Sequence, residues 1–478
     1  MIDKMKKSFY ILWMALGLVS GACTDWLTVQ PKTTIVADHL YTTDAGVEQA
    51  LNGTYILMKT SVYNPGGIMG GAGFAEGLAA TWSNMGNDLN KHIYNINNEF
   101  VGSMFDGAFM GLYKIISNAT PLINGMEQNK ELLSEEVYNI VKGEALAIRA
   151  CVHLDLIRLW GPMPTKVDRT KTYLPYVTEY STSKYTYHTY DEYMEKLFAD
   201  LNEAEALLKK SDPILNFPAN NTTNGSTKWL KRQCHFNYYG VLGLQSRARL
   251  WYGDKEEALR YAKMVKEAVN TDGTPKFKLG DQALFSSFGD GAWDGTMYPE
   301  HLCGVDVSEV FDYNKSSFGG TNVKVEMTNM AFSFLELYDN NTSDLRFQVW
   351  LYSTRRPPFN VTCRKYECMR PDTRAEATNM PVVRLSEMYL TIMECGTLTE
   401  ANAAFEEFCT ARKMTYVPLM EGDRKERVTR EFIKELMAEG QNFFTYKRNE
   451  VKRMFNQPED SDDCDIQQYV LPLPPKEF

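Results

Sequence analysis

One long segment limits the possible folds more than any other part of this sequence. Residues 135–160 carry apolar side chains at helical spacing on two opposite faces, and Gly161-Pro162-Met163-Pro164 ends the pattern. A helix on a protein surface needs one apolar face, so a helix with two must lie between neighbouring layers. The segment therefore predicts a layered, mostly helical protein. One face carries Val137, Val141, Ala145, Ile148, Val152 and Leu156, and the other carries Leu146, Leu154, Ile157 and Trp160.

Two polar residues of this segment need partners if the helix is buried. Arg149 is expected to pair with a carboxylate or to cap carbonyl groups, because an unpaired buried charge is costly. His153 is interpreted as a core histidine with satisfied hydrogen bonds, in preference to a metal ligand.

Other segments show a single apolar stripe at helical spacing. Thr189 and Glu192 form a capping box at the start of one of them. Gly253-Asp254 joins two others into a hairpin that resembles the turn of a tetratricopeptide repeat. The pattern thus predicts a mostly α fold. The predicted helices are residues 44–58, 106–126, 190–208, 236–252, 255–269, 385–395, 400–413 and 429–446.

The stretch from about 271 to 322 differs from the rest because it shows no helical pattern and is rich in aromatic residues. A long irregular stretch inside a compact protein is usually functional or disordered, and its aromatic content argues against disorder. We predict a loop-rich aromatic insertion, with helical scaffold at about 43–270 and 323–450. Its rings are Phe285, Phe288, Trp293, Tyr298, Phe311, Tyr313 and Phe318.

The first residues have the features of an export signal. Three lysines precede an apolar run at residues 9–19, and Ser20-Gly21-Ala22 follow it. The run is about half of the ~20 residues that a membrane-spanning helix needs. Small residues directly before Cys23 resemble a bacterial lipobox. We predict a signal peptide at residues 1–22, acylation of Cys23, a lipidated tether at 23–42 and a single domain at 43–478.

Charge and motifs exclude several functions. The formal net charge is −10 and no basic stripe is visible, so nucleic acid is not an expected partner. The sequence contains no H-E-x-x-H, phosphate-binding loop or G-x-S-x-G motif, and we predict no catalytic residue, metal or cofactor. The glycine-rich residues 66–73 fit no dinucleotide fingerprint and are interpreted as a mobile surface loop. An exported glycoside hydrolase stays an alternative, because its paired carboxylates need only meet in space.

The cysteines after Cys23 lie far apart, except for Cys363 and Cys368. In an exported protein these two could form a disulfide, or they could be buried thiols like most of the others. Their pairing stays open at this stage.

Seven motifs, in the same order along the chain, resemble the SusD/RagB family of outer-membrane nutrient-binding lipoproteins of Bacteroidetes. Arg149-Ala150, with Trp160-Gly161-Pro162 and Pro164 after it, carries the most specific likeness, although Ile148 stands where the family usually has Leu. The motifs are Cys23-Thr24-Asp25-Trp26-Leu27, Asn52-Gly53-Thr54-Tyr55, Tyr113 to Ala119, Glu144 to Pro164, Arg384 to Leu390, Glu435 to Arg448 and Leu471-Pro472-Leu473-Pro474.

The resemblance implies a SusD-like fold with four tetratricopeptide-type helical hairpins and a loop-rich ligand face. It implies a non-catalytic lipoprotein, anchored in the outer membrane and facing the cell exterior, that binds oligosaccharides. Its implied partner is a SusC-like TonB-dependent transporter that takes up the ligand. RagB-like members bind peptides instead, so oligopeptide binding is the main alternative.

Candidate ligand contacts combine an aromatic platform for the C–H face of a sugar with polar groups for its hydroxyls. Trp82 lies near Asn87 and Asp88 in sequence, and Trp293 lies near two aspartates. Either tryptophan could equally be a packed loop anchor. The predicted ligand-binding residues are Trp82, Asn87, Asp88, Trp293, Tyr298 and Tyr313.

Overall fold

The computed structural model describes residues 40–475, apart from 65, 72, 82–98, 182, 221–226, 286–293, 308–329, 354–360, 367–378, 456 and 458–462. The predicted signal peptide and Cys23 lie outside the described residues. Within them, the helices are α1 (Asp44–Leu57), α2 (Phe74–Leu78), α3 (Glu99–Gln128), α4 (Glu135–Trp160), α5 (Tyr190–Ser211), α6 (Tyr238–Tyr252), α7 (Lys255–Lys266), α8 (Met330–Leu337), α9 (Leu345–Trp350), α10 (Leu385–Cys395), α11 (Leu398–Ala411), α12 (Arg424–Glu435), α13 (Asn442–Asn449) and α14 (Ile466–Tyr469).

The fold is mostly helical, and helix α4 lies at its centre as the two-faced pattern predicted. The helix is buried from Val137 to Trp160 and packs against α3 on one side and α5 on the other. Glu135 and Glu136 lie in its first turn, where the helix dipole stabilises negatively charged side chains. The predicted bounds of this helix are confirmed at both ends.

The two polar residues of α4 have the expected partners. The Arg149 guanidinium donates from Nε and Nη2 to the two carboxylate oxygens of Asp200 on α5, both at 2.7 Å. His153 Nδ1 lies 2.8 Å from the Tyr193 hydroxyl, and its Nε2 accepts from the backbone N–H of Val177 at 3.2 Å. Burial, followed by the nearby Arg149 charge, holds the pKa of His153 well below its usual value. His153 is therefore a core histidine, as predicted.

Helical hairpins continue the layers on the α5 side. Helix α6 begins at Tyr238 because the Asn237 side chain caps it, accepting from Gly240 N–H at 3.0 Å. The turn to α7 passes through Gly253 at a φ of +96°, a conformation that favours glycine. Helix α7 then packs against α10, and α10 contacts both α11 and α12. The predicted hairpin is confirmed, with α7 ending at Lys266 instead of residue 269.

Two predictions about the polypeptide path are wrong. Residues 429–446 do not form one helix, because the chain turns between α12 and α13 at Gly440, where φ is +67°. A Cβ atom at Gly440 would lie 2.6 Å from the carbonyl oxygen of Met69. The glycine-rich residues 66–73, predicted as a mobile surface loop, are mostly buried against this turn. A Cβ atom at Gly71 would lie 2.2 Å from the Ala438 carbonyl oxygen, so small residues are required for the packing.

Short antiparallel strand pairs complete the described fold. β3 falls inside the stretch predicted to be free of helix, and it pairs with β6 so that His301 lies opposite Arg384. This pairing places the stretch after residue 293 against the Arg384 motif. The strands are β1 (Thr172–Leu174), β2 (His188–Thr189), β3 (His301–Asp306), β4 (Leu351–Ser353), β5 (Val361–Cys363) and β6 (Asn379–Arg384), paired as β1–β2, β3–β6 and β4–β5.

Candidate functional site

The predicted ligand contacts fall mainly on segments outside the described residues. Trp82, Asn87, Asp88, Trp293 and Tyr313 belong to those segments, and their roles stay predictions. Tyr298 is described and is packed inside the protein, with 6% of its surface exposed. Its ring meets His301 edge-on at a centroid distance of 5.4 Å, so in this conformation it offers no open face to a sugar.

The described residues beside Trp293 form a fixed turn. One carboxylate oxygen of Asp294 accepts from the Thr296 N–H at 3.0 Å, and the other accepts from the Tyr298 N–H at 3.1 Å. The Trp350 indole donates to the Gly295 carbonyl oxygen at 3.0 Å. Residues 294–298 are thus held in place by hydrogen bonds.

A buried charge cluster lies where several of these segments join the scaffold. Glu300 follows the Asp294 turn, Lys365 follows β5, and Arg384 ends β6. The side chains of the cluster are at most 6% exposed. We define the charge cluster as Glu300, Arg346, Lys365, Arg384, Arg412, Glu435 and Glu439.

Glu435 is the centre of the charge cluster. Its carboxylate lies 2.7 Å from Arg412, 3.0 Å from Arg384 and 3.3 Å from Arg346. Burial alone would raise the pKa of Glu435, but the guanidinium groups of Arg412 and Arg384 outweigh it and hold the pKa well below its usual value.

The rest of the charge cluster connects to Glu435 through shared partners. Glu300 bridges Arg384 and Arg412, both at 2.7 Å, and Glu439 bridges Arg384 and Lys365, both at 2.6 Å. Because each charge has an oppositely charged neighbour, the cluster holds together the described elements that meet in it. Sequence reasoning recognised Arg384, Glu435 and Glu439 as motif residues, but no local signal shows that they meet.

A second buried carboxylate ties the glycine-rich loop to the turn after α12. Glu76 on α2 accepts from the backbone N–H groups of Ala438 and Gly440, each at 3.0 Å. Burial raises the pKa of Glu76 to about 7 in spite of these donors. Helix α2 is followed by Thr81, the last described residue before Trp82.

We expect Glu76 to reduce stability as pH rises. A carboxyl group whose pKa is raised from 4.5 to about 7 binds its proton more tightly in the folded state, so stability is lost between those values. Between pH 5 and pH 8 the free energy of unfolding of the wild-type protein should fall by about 2–3 kcal/mol more than that of Glu76→Gln. Denaturant unfolding of both proteins at several pH values measures the difference. Buried histidines titrate in both proteins alike, so a difference that does not change with pH would contradict the prediction.

The described residues offer few reactive groups. Within the described ranges, no group of three or more His, Cys, Asp or Glu side chains could hold a metal ion. Burial raises the pKa of the thiols of Cys151 and Cys234 to about 12, which makes them poor nucleophiles. Cys363 is buried, and Cys368 lies outside the described residues, so their pairing is untested. None of the helices in the described part of the chain has the length and apolar character needed to span a membrane.

Comparison with known proteins gives matches by sequence. A family model for SusD-like proteins, described as starch-binding and associating with the outer membrane, matches residues 25–220. A SusD-like protein of Formosa agariphila is 27% identical over 168 residues, which is 34% of this chain and 31% of that protein. A SusD-like protein of Bacteroides ovatus is equally similar, with 30% of its length covered. The matched segment thus spans less than a third of these curated relatives.

Solved structures match nearly the whole chain. A SusD superfamily protein of Bacteroides thetaiotaomicron aligns with a TM-score of 0.69 and 19% identity, covering 91% of this chain and 97% of that one. A laminarin-binding SusD-like protein aligns with a TM-score of 0.60 and 15% identity, covering 91% and 96%. At these identities the likeness shows the fold.

The helical hairpins pack in layers, and the buried charge cluster lies where further segments join them. These features define a helical-repeat scaffold protein. The family match and the shared fold give a more specific likeness than this general class. Residues 25–220 match the SusD-like family, and nearly the whole chain has the fold of a SusD superfamily protein, in agreement with the seven motifs.

Proposed function

We propose that this protein is a cell-surface lipoprotein that binds oligosaccharides and passes them to a SusC-like TonB-dependent transporter of the outer membrane. The single observation that carries the proposal is the SusD-like fold over 91% of the chain, in a family described by starch binding at the outer membrane. The laminarin-binding neighbour has the same fold and supports a glycan as ligand. The protein is proposed to act by binding, without a catalytic step.

The anchoring part of the proposal depends on the amino-terminal sequence. Residues 1–22 direct export, Cys23 receives the acyl chains, and residues 23–42 tether one domain to the outer membrane, facing the cell exterior. The helical layers and the charge cluster bear on the ligand-binding part of the proposal, because they form a packed scaffold for the segments that carry the predicted ligand contacts.

A binding screen tests the proposed function. The purified full chain is titrated with a panel of neutral oligosaccharides that includes maltoheptaose and laminarihexaose, and with a matched panel of short peptides. The proposal expects binding to at least one oligosaccharide at micromolar to millimolar affinity. Binding to peptides alone would replace the glycan with the oligopeptide alternative.

Trp293→Ala is expected to weaken oligosaccharide binding about tenfold or more, with Trp82→Ala as the second candidate. Stacking one ring on a sugar contributes on the order of 1 kcal/mol, and a tenfold change in affinity corresponds to about 1.4 kcal/mol. Calorimetry of both variants against a glycan found in the screen measures the effect. Tyr185→Ala, which removes a partly exposed ring from another loop, is the control. Unchanged affinity in both tryptophan variants would move the site elsewhere, and loss of folding would identify these rings as core.

A further inference from the structure

A cavity of about 450 Å³ lies between the turn that joins α6 to α7 and the helices α10, α12 and α13. We call it the anion cavity, for reasons that follow from its charges. Ligand sites typically have volumes of roughly 300–1,000 Å³, so the cavity has room for a small molecule. The charged residues that line it are Lys255, Glu394, Glu421, Arg424, Lys425 and Arg448.

The lining of the anion cavity is positively charged, although the whole chain has a formal net charge of −10. Four lysine and arginine side chains line it with two carboxylates, which gives the lining a net charge of +2. Asp254 and Asp423 lie just before α7 and α12, but each has an arginine partner of its own. These partners are Arg249 at 3.3 Å and Arg427 at 3.4 Å, and none of the four residues lines the cavity.

Two of the four cations have no ion-pair partner. Lys255 and Lys425 are exposed, and neither forms an ion pair with a described residue. Each lies in the first turn of a helix, where the helix dipole disfavours a positive charge. Residues that break a local rule of this kind are expected mainly at functional or strained sites. A bound anion would compensate both unpaired charges.

Arg424 adds a donor that is fixed in position and accessible. Its Nε and Nη2 donate to the carbonyl oxygens of Met393 and Gly396 at 2.7 and 2.6 Å, which holds the guanidinium at the end of α10. Its Nη1 forms no hydrogen bond with a described residue, and it is not a buried atom. The Glu421 carboxylate lies 3.8 Å from Nη1, on a side chain that is 72% exposed. Nη1 is therefore open to a ligand.

Glu394 shows that the unpaired lysines act on the same part of the cavity. Its two carboxylate oxygens bind Arg448 at 2.5 and 2.7 Å, so these two charges neutralise each other. Burial alone would raise the pKa of Glu394, but the charge of Arg448, followed by those of Lys255 and Lys425, lowers it. Both lysines thus lie near enough to influence one carboxylate, and their own charges stay uncompensated.

These donors suit an oxyanion with two negative charges. Lysine and arginine side chains form strong charge-assisted hydrogen bonds with phosphate and similar oxyanions. A phosphate ester carries about −1.5 to −2 charges at pH 7, which matches the net charge of the lining. A carboxylate has one charge and two oxygens, so it would leave part of the positive charge uncompensated. A cationic ligand would be repelled.

We propose that the anion cavity binds a phosphate or sulfate group through Lys255, Arg424 and Lys425. The group has two possible sources, the free ion and a sugar that carries it as an ester. The inference goes beyond the proposed function, because the charges and donors of this cavity do not depend on the delivery of a glycan.

Calorimetry of the full chain at low ionic strength tests the proposal. The probes are inorganic phosphate, inorganic sulfate, glucose 6-phosphate and glucose. We expect at least one of the three anionic probes to bind with millimolar or tighter affinity, and added sodium chloride should weaken this binding because salt screens exposed charges. Tighter binding of glucose 6-phosphate than of inorganic phosphate identifies the sugar ester as the source. Equal affinities identify the free ion.

Two variants locate the binding in the anion cavity. Lys255→Gln and Lys425→Gln should each weaken the binding of the anionic probes about tenfold or more, because each removes a charged donor. Both lysines are exposed and unpaired among the described residues, so the melting temperatures should not fall. Lys114→Gln is the matched control, because it removes an exposed lysine of α3 that also lacks an ion pair with a described residue. It should leave the affinity unchanged.

Three results would overturn the inference. The first is that none of the anionic probes binds to wild type, which leaves the proposed function standing because neutral oligosaccharides test it separately. The second is an equal effect of Lys114→Gln and the two cavity variants, since only the overall charge would then matter. The third is tighter binding of galacturonic acid than of any phosphate or sulfate probe, which would replace the oxyanion with a carboxylate.

Discussion

Glu435→Gln is expected to lower the free energy of unfolding by about 5 kcal/mol, the upper end of the range for breaking a buried ion pair. The Glu435 carboxylate contacts Arg346, Arg384 and Arg412, whose side chains are at most 1% exposed. Glutamine keeps the shape but removes the negative charge, so three buried guanidinium groups lose a common partner. Denaturant unfolding at pH 7 measures the loss.

A matched control lies on the same helix. The Glu426 side chain is 82% exposed and lies 3.9 Å from Arg430, so Glu426→Gln should change stability by less than about 0.5 kcal/mol. Equal effects of the two substitutions would show that the charge cluster does not stabilise the fold.

The effect of Glu435→Gln should also depend on pH. The pKa of Glu435 lies well below 4.5 in the folded protein, so its stabilising contribution is present above about pH 4.5 and is lost as pH falls. The difference in unfolding free energy between wild type and Glu435→Gln should therefore be smaller at pH 3.5 than at pH 7. Burial alone would raise the pKa of Glu431, but the Arg346 charge lowers this pKa to about 2. Because Glu431 is present in both proteins, its titration changes their unfolding free energies in the same direction.

Arg149→Ala is the second large expected effect, a loss of about 3–5 kcal/mol. The substitution leaves the Asp200 carboxylate buried at 9% exposure without its bidentate partner, although the Tyr176 hydroxyl still donates to it at 2.6 Å. Thermal melting should show a sharp fall in the midpoint. A variant that melts like wild type would mean that α4 does not lie between apolar layers.

An exposed pair of the same residue types gives the control for Arg149→Ala. Arg169 and Asp191 form an ion pair with side chains that are 57% and 42% exposed. Exposed pairs contribute ~0–1 kcal/mol, so Arg169→Ala should shift the midpoint little. The contrast between the two arginines isolates the effect of burial.

The sequence predicted the helices best where the signal is local. Helix α4 follows from its two apolar faces, and the start of α5 follows from the capping box of Thr189 and Glu192, which the structure contains. The order of the motifs also indicated the likeness to SusD-like proteins that the comparison finds over residues 25–220. Apolar spacing and capping act within a few residues of each other, so they can be read without the rest of the fold.

The candidate site could be predicted only in part. Pairing an aromatic ring with nearby polar residues identified Trp82 and Trp293, which lie outside the described residues, and Tyr298, which the structure packs in the core. The charge cluster had no local signal either, because Glu300, Arg412 and Glu435 come from separate elements. Exposure and cross-helix contacts are properties of the packed protein.

By itself, the sequence determined the helical class of this protein, most of its helix positions and its likeness to the SusD-like family. The tertiary structure alone decided that the chain turns at Gly440, that the glycine-rich loop is buried beneath Ala438, and that Glu300 meets Glu435 through Arg412. The physical reason is distance along the chain. Local hydrophobic spacing specifies a helix, whereas a buried charge finds its partner only when residues over a hundred positions apart are brought together by packing.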